Sequence, residues 1–505
     1  MIEVAPTEHG AVAGEVLADG VTAFRGVPYA APPRGLLRWR APQPPTSWAG
    51  TRSCKRFGPV AVQPSALPAS PLPFSSEAQD EDCLYVNVWT AAKTSSEQRP
   101  VVVWFHPGGY QLGSGSAALF DGSGWARAGA VLVTFNSRLG LLGFLLHPVL
   151  VNEQGADAGN YGLLDQLAGL RWVQANIAEF GGDPSCVTLF GLSSGASSIS
   201  LLMASPVAAG LFHRVIMESG GSFGPVSDST GIGDRWQTRE GALRSGAAWA
   251  TVLGATSLSA LRALPADDIR ESAGIGRDPG SGTFDGRRPC IGGPVAVAGT
   301  GERFRAGLQA GVPALVGYAA REASFLAERG VAATYRQRAE RELGPLAARF
   351  LRLYPAADEQ EAARSETRAR GHRLFAWQAW ASANLHARSG HPVYLYRFEQ
   401  APPAADGAGA FHGASVLYLF DRFRLRPDCA WREEDRTVSR AMIDAWVSFA
   451  RTGTPRSCWL PDWPRFDPRE PRAMRLRADS VVADLPERSA LEFWDEVYGL
   501  QPTLH

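Results

Sequence analysis

Lysine is almost missing from this chain. Only Lys55 and Lys93 occur among fifty basic residues, so nearly all the positive charge is arginine. With abundant alanine and glycine, that bias reads as GC-rich coding. Net charge is missing as well: fifty basic residues balance fifty acidic ones. A neutral chain offers no electrostatic case for nucleic-acid binding or for attachment to an anionic membrane. No run of eighteen apolar residues exists, so no membrane anchor is expected. The opening stretch MIEVAPTEHGAVAGEV has no positive region followed by an apolar one. No secretory signal is therefore expected, and a cytoplasmic location is. Cysteine is scarce: Cys54, Cys83, Cys186, Cys290, Cys429 and Cys458 fit neither a metal site nor a disulfide scaffold. Free thiols in a reducing compartment are expected.

What remains is an ordinary globular composition, 45% hydrophobic and 20% charged over 505 residues. No internal repeat or interdomain linker stands out, and residues 1–505 are expected to form one unit. Six apolar, β-rich runs stand between turn signals: PVVVWF (100–105), AVLVTFN (130–136), CVTLF (186–190), HRVIME (213–218), VPALVG (312–317) and PVYLYRF (392–398). They are too continuously apolar for strands with one wet face and suit a parallel sheet covered on both sides. In NYGLLDQLAGLRWVQANIAEFGGDP, Leu163, Leu167, Leu170, Val173 and Ile177 recur at helical spacing, and Gly181 and Gly182 follow as a stop. Strands alternating with helices predict an α/β fold with a large, mostly parallel sheet flanked by helices. Three irregular stretches, VQPSALPASPLPFSSEAQ, GIGRDPGSGTFDGRRPCIGGP and QAPPAADGAGA, read as functional or mobile loops.

The stretch LFGLSSGASS (189–198) contains Gly191-Leu192-Ser193-Ser194-Gly195, a G-x-S-x-G pattern. On its own the pattern fits a structural turn as well as a nucleophile. Its flanks are more specific. CVTLF reads as a strand and ASSISLLMAS can start a helix, which is the strand–turn–helix context a nucleophile elbow needs. Upstream, WFHPGGY (104–110) places glycines at the end of a strand, where backbone N–H groups can converge on a developing oxyanion. Alone, this too fits a plain glycine turn.

Longer segments carry a resemblance. The opening GAVAGEVLADGVTAFRGVPYAAPPRGLLRWRAPQPPTSWAG, then EDCLYVNVWT, then the segment around Ser193, and finally AWVSFARTGTPRSCWLPDWPRF resemble the type-B carboxylesterases, the family of cholinesterases and p-nitrobenzyl esterases, over nearly the whole chain. The resemblance implies an α/β-hydrolase fold and a serine esterase working through an acyl-enzyme. It makes Ser193 the nucleophile, Glu322 in GYAAREASF the acid and His412 in FHGASVLYLF the base. It makes the N–H groups of Gly108, Gly109 and Ser194 the oxyanion donors. It implies an ester substrate and water, and no metal or organic cofactor.

The chain departs from the family in four places. Leu192 stands where a glutamate usually precedes the nucleophile, so an apolar wall beside the reacting carbonyl, and a preference for neutral, apolar esters over choline-like ones, are expected. Pro107 replaces the first of three oxyanion-loop glycines, and lacks an N–H. Ser194 replaces the usual alanine. Cys83 has no cysteine at its usual partner position, so no bridge is expected there. Two other functions share these features: acyl transfer or lactone closure from the same acyl-serine, and a non-catalytic interaction protein like the family's adhesion members. The latter usually lack the serine, which this chain has.

Overall fold

The computed structural model describes residues 1–64, 78–226, 236–272, 288–324, 332–403 and 407–499. Of the three irregular stretches expected as loops, residues 65–77 of the first, 274–287 of the second and 404–406 of the third lie outside these residues.

The apolar runs become neighbouring strands. The central sheet has eleven: β1 (Glu15–Val16), β2 (Thr22–Pro28), β3 (Tyr85–Thr90), β4 (Arg99–Phe105), β5 (Val131–Phe135), β6 (Gly182–Leu192), β7 (Arg214–Glu218), β8 (Ala314–Ala319), β9 (Val393–Phe398), β10 (Arg472–Leu476) and β11 (Val481–Asp484). Their order across the sheet is β11-β10-β9-β8-β7-β6-β4-β5-β3-β2-β1. From β5 to β10 every neighbouring pair is parallel. The outer pairs at both edges are antiparallel. The six runs read from the sequence are β4 to β9, the middle of the parallel region.

Alternation along each strand explains why these runs are apolar throughout. Val101, Val103, Leu189, Val215, Val316 and Leu395 enter the core on one face of the sheet. Val102, Trp104, Phe190, Ile216, Leu315 and Tyr396 enter a second core on the other. A strand buried on both faces is mostly apolar; Thr134, Thr188 and Glu218 are the buried polar exceptions in β5, β6 and β7.

Helices cover both faces. The helix read from its periodicity is α1 (Tyr161–Asn176), continued by one tighter turn to Phe180. Gly181 ends it with φ +77°, the left-handed cap glycine adopts without strain. Helix α2 (Ser194–Met203) follows Ser193 directly and is buried along its whole length. On the second face lies α5 (Glu433–Thr452), which packs Met442, Ala445, Trp446 and Phe449 into that core. Two further helices bear on the site, α3 (Trp377–Arg388) and α4 (Ala414–Leu419). None of the six cysteines forms a disulfide. Among the described residues no helix is long and apolar enough to cross a membrane.

A buried ion pair ties α1 to the loop after β5. Arg138 Nε and one terminal nitrogen hold both oxygens of Asp165 at 2.8 and 2.6 Å, and the Arg138 N–H adds a third bond at 2.9 Å. Asp165 is wholly buried and Arg138 nearly so. The same loop meets the strand-end glycine turn, where the Gly140 N–H donates to the Tyr110 carbonyl. Removing one partner of such a pair strands the other charge. We expect Asp165→Ala to cost about 3–5 kcal/mol of stability. Urea unfolding of both proteins checks it; a loss below about 1 kcal/mol would mean that water replaces the carboxylate.

Candidate active site

Ser193 sits between β6 and α2 at φ +57°, ψ −120°, a conformation that costs a residue with a side chain. Three close approaches hold it. A Cβ on Gly191 would lie 2.6 Å from the Gly195 carbonyl carbon, and one on Gly195 would lie 2.1 Å from the Phe105 carbonyl oxygen. A Cβ on Gly220 would lie 2.2 Å from the Ser193 carbonyl oxygen. The glycines of the G-x-S-x-G pattern are thus steric requirements. The Ser193 N–H donates to the Glu218 carbonyl at 2.9 Å, and the Ser193 carbonyl accepts from the Ser197 N–H at 2.9 Å. The side chain is left half-buried at the carboxyl end of β6, without a hydrogen bond among the described residues.

Glu322 follows β8 in a short turn. One carboxylate oxygen accepts the Ala319 N–H at 2.6 Å and the other meets His412 Nδ1 at 2.6 Å. His412 follows β9 and immediately precedes α4, with Gly413 at φ +80° making the turn between them. The two loops are stitched by a parallel bridge between Arg321 and Phe411 and by the Arg321 N–H on the Ala410 carbonyl. The Phe375 ring lies against the imidazole at 4.2 Å between centroids. Phe375 belongs to a π-turn, His372–Ala376, that leads into α3. Such a turn widens the helix locally and shifts its side chains. The Glu322–His412 contact fixes a tautomer: a carboxylate on Nδ1 requires the proton there and leaves Nε2 as a base.

The glycine loop after β4 is held from inside. His106 is half-buried, and its partial desolvation lowers its pKa, so the neutral ring is favoured and its Nδ1–H donates to the Pro107 carbonyl at 2.9 Å. Gly108 and Gly109 take φ +135° and +62°. A side chain at Gly108 would collide with the Leu112 carbonyl oxygen at 1.8 Å. The Gly109 N–H lies on the Ser194 hydroxyl oxygen at 3.0 Å, which brings the glycine loop and the start of α2 together. Among the described residues no group of three or more His, Cys, Asp or Glu side chains could hold a metal ion.

Leu192 is not a wall of the site. It is wholly buried in the second core with Phe190, Ile216 and Tyr396. Side chains alternate along β6, so position 192 points through the sheet, away from the face that exposes Ser193. The substrate-facing role expected for it is therefore withdrawn.

The structure adds a carboxyl that the sequence did not suggest as functional. Glu218, the last residue of β7, is wholly buried, and its side chain accepts a hydrogen bond from the Ser415 hydroxyl, three residues past His412. Its backbone carbonyl holds the Ser193 N–H. Glu218 thus joins the turn at Ser193 to the helix that follows His412. Burial pushes its pKa up to about 7; the Ser415 hydrogen bond opposes that rise, and nearby Glu322 adds to it. A charged residue closing an otherwise apolar strand was the available signal. A cavity of about 640 Å³ opens beside Glu322, lined by Arg321, Ser324, Thr367, Arg368 and His372 among others.

A carboxylesterase family model matches residues 2–494. Fumonisin B1 esterase of Sphingopyxis macrogoltabida is 36% identical over 482 residues, which cover 92% of this chain and 84% of that protein. Para-nitrobenzyl esterase of Bacillus subtilis (strain 168) is 35% identical over 505 residues, 96% of this chain and 97% of that one. Among solved structures, a PNB esterase superposes with a TM-score of 0.83 at 33% identity, covering 97% of this chain and 100% of that chain.

Two outcomes follow from the buried carboxyls. Glu218 has a folded pKa above its ordinary 4.5. Between that value and about 7 the folded chain holds a proton that the unfolded chain has released, so stability falls as pH rises through this window. Glu218→Gln removes the effect. Relative to wild type, its stability should improve by about 3 kcal/mol from pH 4 to pH 8, as read by urea unfolding at both; a constant difference would show that Glu218 titrates normally. Leu192→Glu buries an unpartnered charge and should destabilise by several kcal/mol, without changing the preference between cationic and neutral esters in whatever fraction folds.

Proposed function

From its membership of the carboxylesterase family, to which the chain belongs as a carboxylic ester hydrolase of α/β-hydrolase fold, we propose that Ser193 is its nucleophile, His412 its general base and Glu322 the acid that orients His412. The observation that carries this reading is the 2.6 Å contact between Glu322 and His412 Nδ1. It joins loops that follow adjacent parallel strands, on the same sheet edge as the strained turn at Ser193.

In this mechanism His412 Nε2 takes the Ser193 proton while the hydroxyl oxygen adds to the ester carbonyl carbon. The negative charge moves to the carbonyl oxygen, where the N–H groups of Gly108, Gly109 and Ser194 receive it. His412 then gives its proton to the departing alcohol, leaving an acyl group on Ser193. Water, deprotonated by the same imidazole, releases the acid. Glu322 stays ionised and stabilises the imidazolium. Phe375 shields one face of the ring from water.

The relatives' names cover several esters, one of fumonisin B1 and one para-nitrobenzyl. We propose a neutral, apolar ester for this chain. Glu322 is engaged by His412, and Glu218 and Leu192 are wholly buried behind the turn, so none of these positions presents a charge to attract a cation. Residues 1–505 act as one unit in this reading, and six cysteines without a disulfide suit a reducing compartment.

Ser193→Ala and His412→Ala should each lower kcat by about 10⁴-fold or more, and the double variant should be little worse than either, because the three groups act as a unit. Hydrolysis of a short-chain aryl ester by folded protein measures this. Near-normal turnover by Ser193→Ala would overturn the assignment.

A further inference from the structure

The reading above assigns three backbone N–H groups to the oxyanion, and they are not in the same state. Those of Gly108 and Ser194 make no hydrogen bond to the protein among the described residues. That of Gly109 is already engaged, at 3.0 Å, by the hydroxyl oxygen of Ser194. Ser194 is 8% exposed, and its side chain borders a small cavity formed with Phe105, His106, Tyr110 and Ser198. We propose that the Ser194 hydroxyl occupies part of the oxyanion hole of the resting enzyme, so that a substrate must displace it before Gly109 can stabilise the transition state. The proposal rests on the triad reading above and concerns the same site.

The physics follows from what a vacant hole requires. A buried N–H without an acceptor carries a desolvation penalty, and a side-chain oxygen within reach relieves it. Alanine, the residue that the family resemblance leads one to expect at position 194, has no such oxygen. Serine supplies one from the residue whose own N–H is a second donor. The resting state is thereby stabilised relative to the tetrahedral intermediate, in which the Gly109 N–H must turn to the charged oxygen. If both acceptors share it, each bond is weakened. Either way the transition state gains less from Gly109 than from an unoccupied donor. Rotation about the Ser194 Cα–Cβ bond would take the hydroxyl off the Gly109 N–H.

Ser194→Ala removes the competing acceptor and keeps the backbone N–H. It should raise kcat/KM for a neutral ester by about three- to ten-fold, the worth of one neutral hydrogen bond, chiefly through kcat. The discriminating readout is a trifluoromethyl ketone. Ser193 Oγ adds to its carbonyl carbon, and the resulting hemiketal oxygen sits where the oxyanion forms. Its inhibition constant should fall in Ser194→Ala by the same factor as kcat/KM rises, while KM for the ester stays within two-fold. Should Ser194→Ala fold poorly, Ser194→Gly also lacks the hydroxyl and should show the same tightening. Unchanged or weakened inhibition in the folded variant would overturn the proposal and make the hydroxyl a support for the loop. Ser193→Ala serves as the control: if it keeps turnover and ketone binding, the nucleophile assignment fails and the inference with it, whereas loss of both with no Ser194→Ala effect overturns the inference alone.

Discussion

The site depends on one unfavourable backbone conformation. Ser193 is held at φ +57°, and without the surrounding packing it would relax to a region a serine prefers. Phe105 presses a carbonyl against Gly195, Gly191 lets the chain fold back on itself, and Gly220 lets β7 approach from the side. Each of those neighbours belongs to a different strand end of the central sheet. The strain is therefore sustained by the sheet as a whole, and no local substitution in the turn could sustain it alone. The same sheet sets the spacing of β8 and β9, and with it the contact between Glu322 and His412.

The strands of the parallel region were legible because both faces of the sheet are buried. A doubly covered strand is apolar on both faces with few exceptions, and β4 to β9 stand out for that reason. The outer strands β1, β2, β10 and β11 did not stand out: β1 is two residues long, and β10 and β11 carry arginine and aspartate. Ser193 was legible from its glycines, since the close approaches that require them leave a pattern in the chain. Glu322 and His412 were legible only through family resemblance; neither has a local pattern of its own, because what makes them a pair is the parallel register of β8 and β9.

Leu192 shows the opposite error. Adjacency in sequence to Ser193 suggested adjacency to substrate, but period-two alternation sends the side chain through the sheet, where Phe190 had already marked the apolar direction. Phe375 and Glu218 were missed for a different reason. Phe375 reaches His412 from a π-turn, which helical periodicity does not reveal, and Glu218 reaches Ser415 from the neighbouring strand. The carboxyl that this chain lacks at position 192 is present at 218, behind the nucleophile turn and wholly enclosed. The proton it holds near neutrality spares the interior a charge close to Glu322.

The chain order of the sheet has a consequence for how the molecule comes into being. Ser193 leaves β6, but the strand on its flank, β7, is joined to β8 only after about a hundred intervening residues, and β9 comes later still. Parallel pairs between such distant segments close slowly, because each must first overcome the entropy of a long loop. A chain folding from its N-terminus would complete the nucleophile turn's own strand well before the histidine helix exists. During that interval the turn lacks part of the packing that sustains its strain, and the buried carboxyl of Glu218 has no Ser415 to hold. Ester hydrolysis would then appear late in refolding, after most of the secondary structure, and would serve as a sensitive reporter that the C-terminal third has docked.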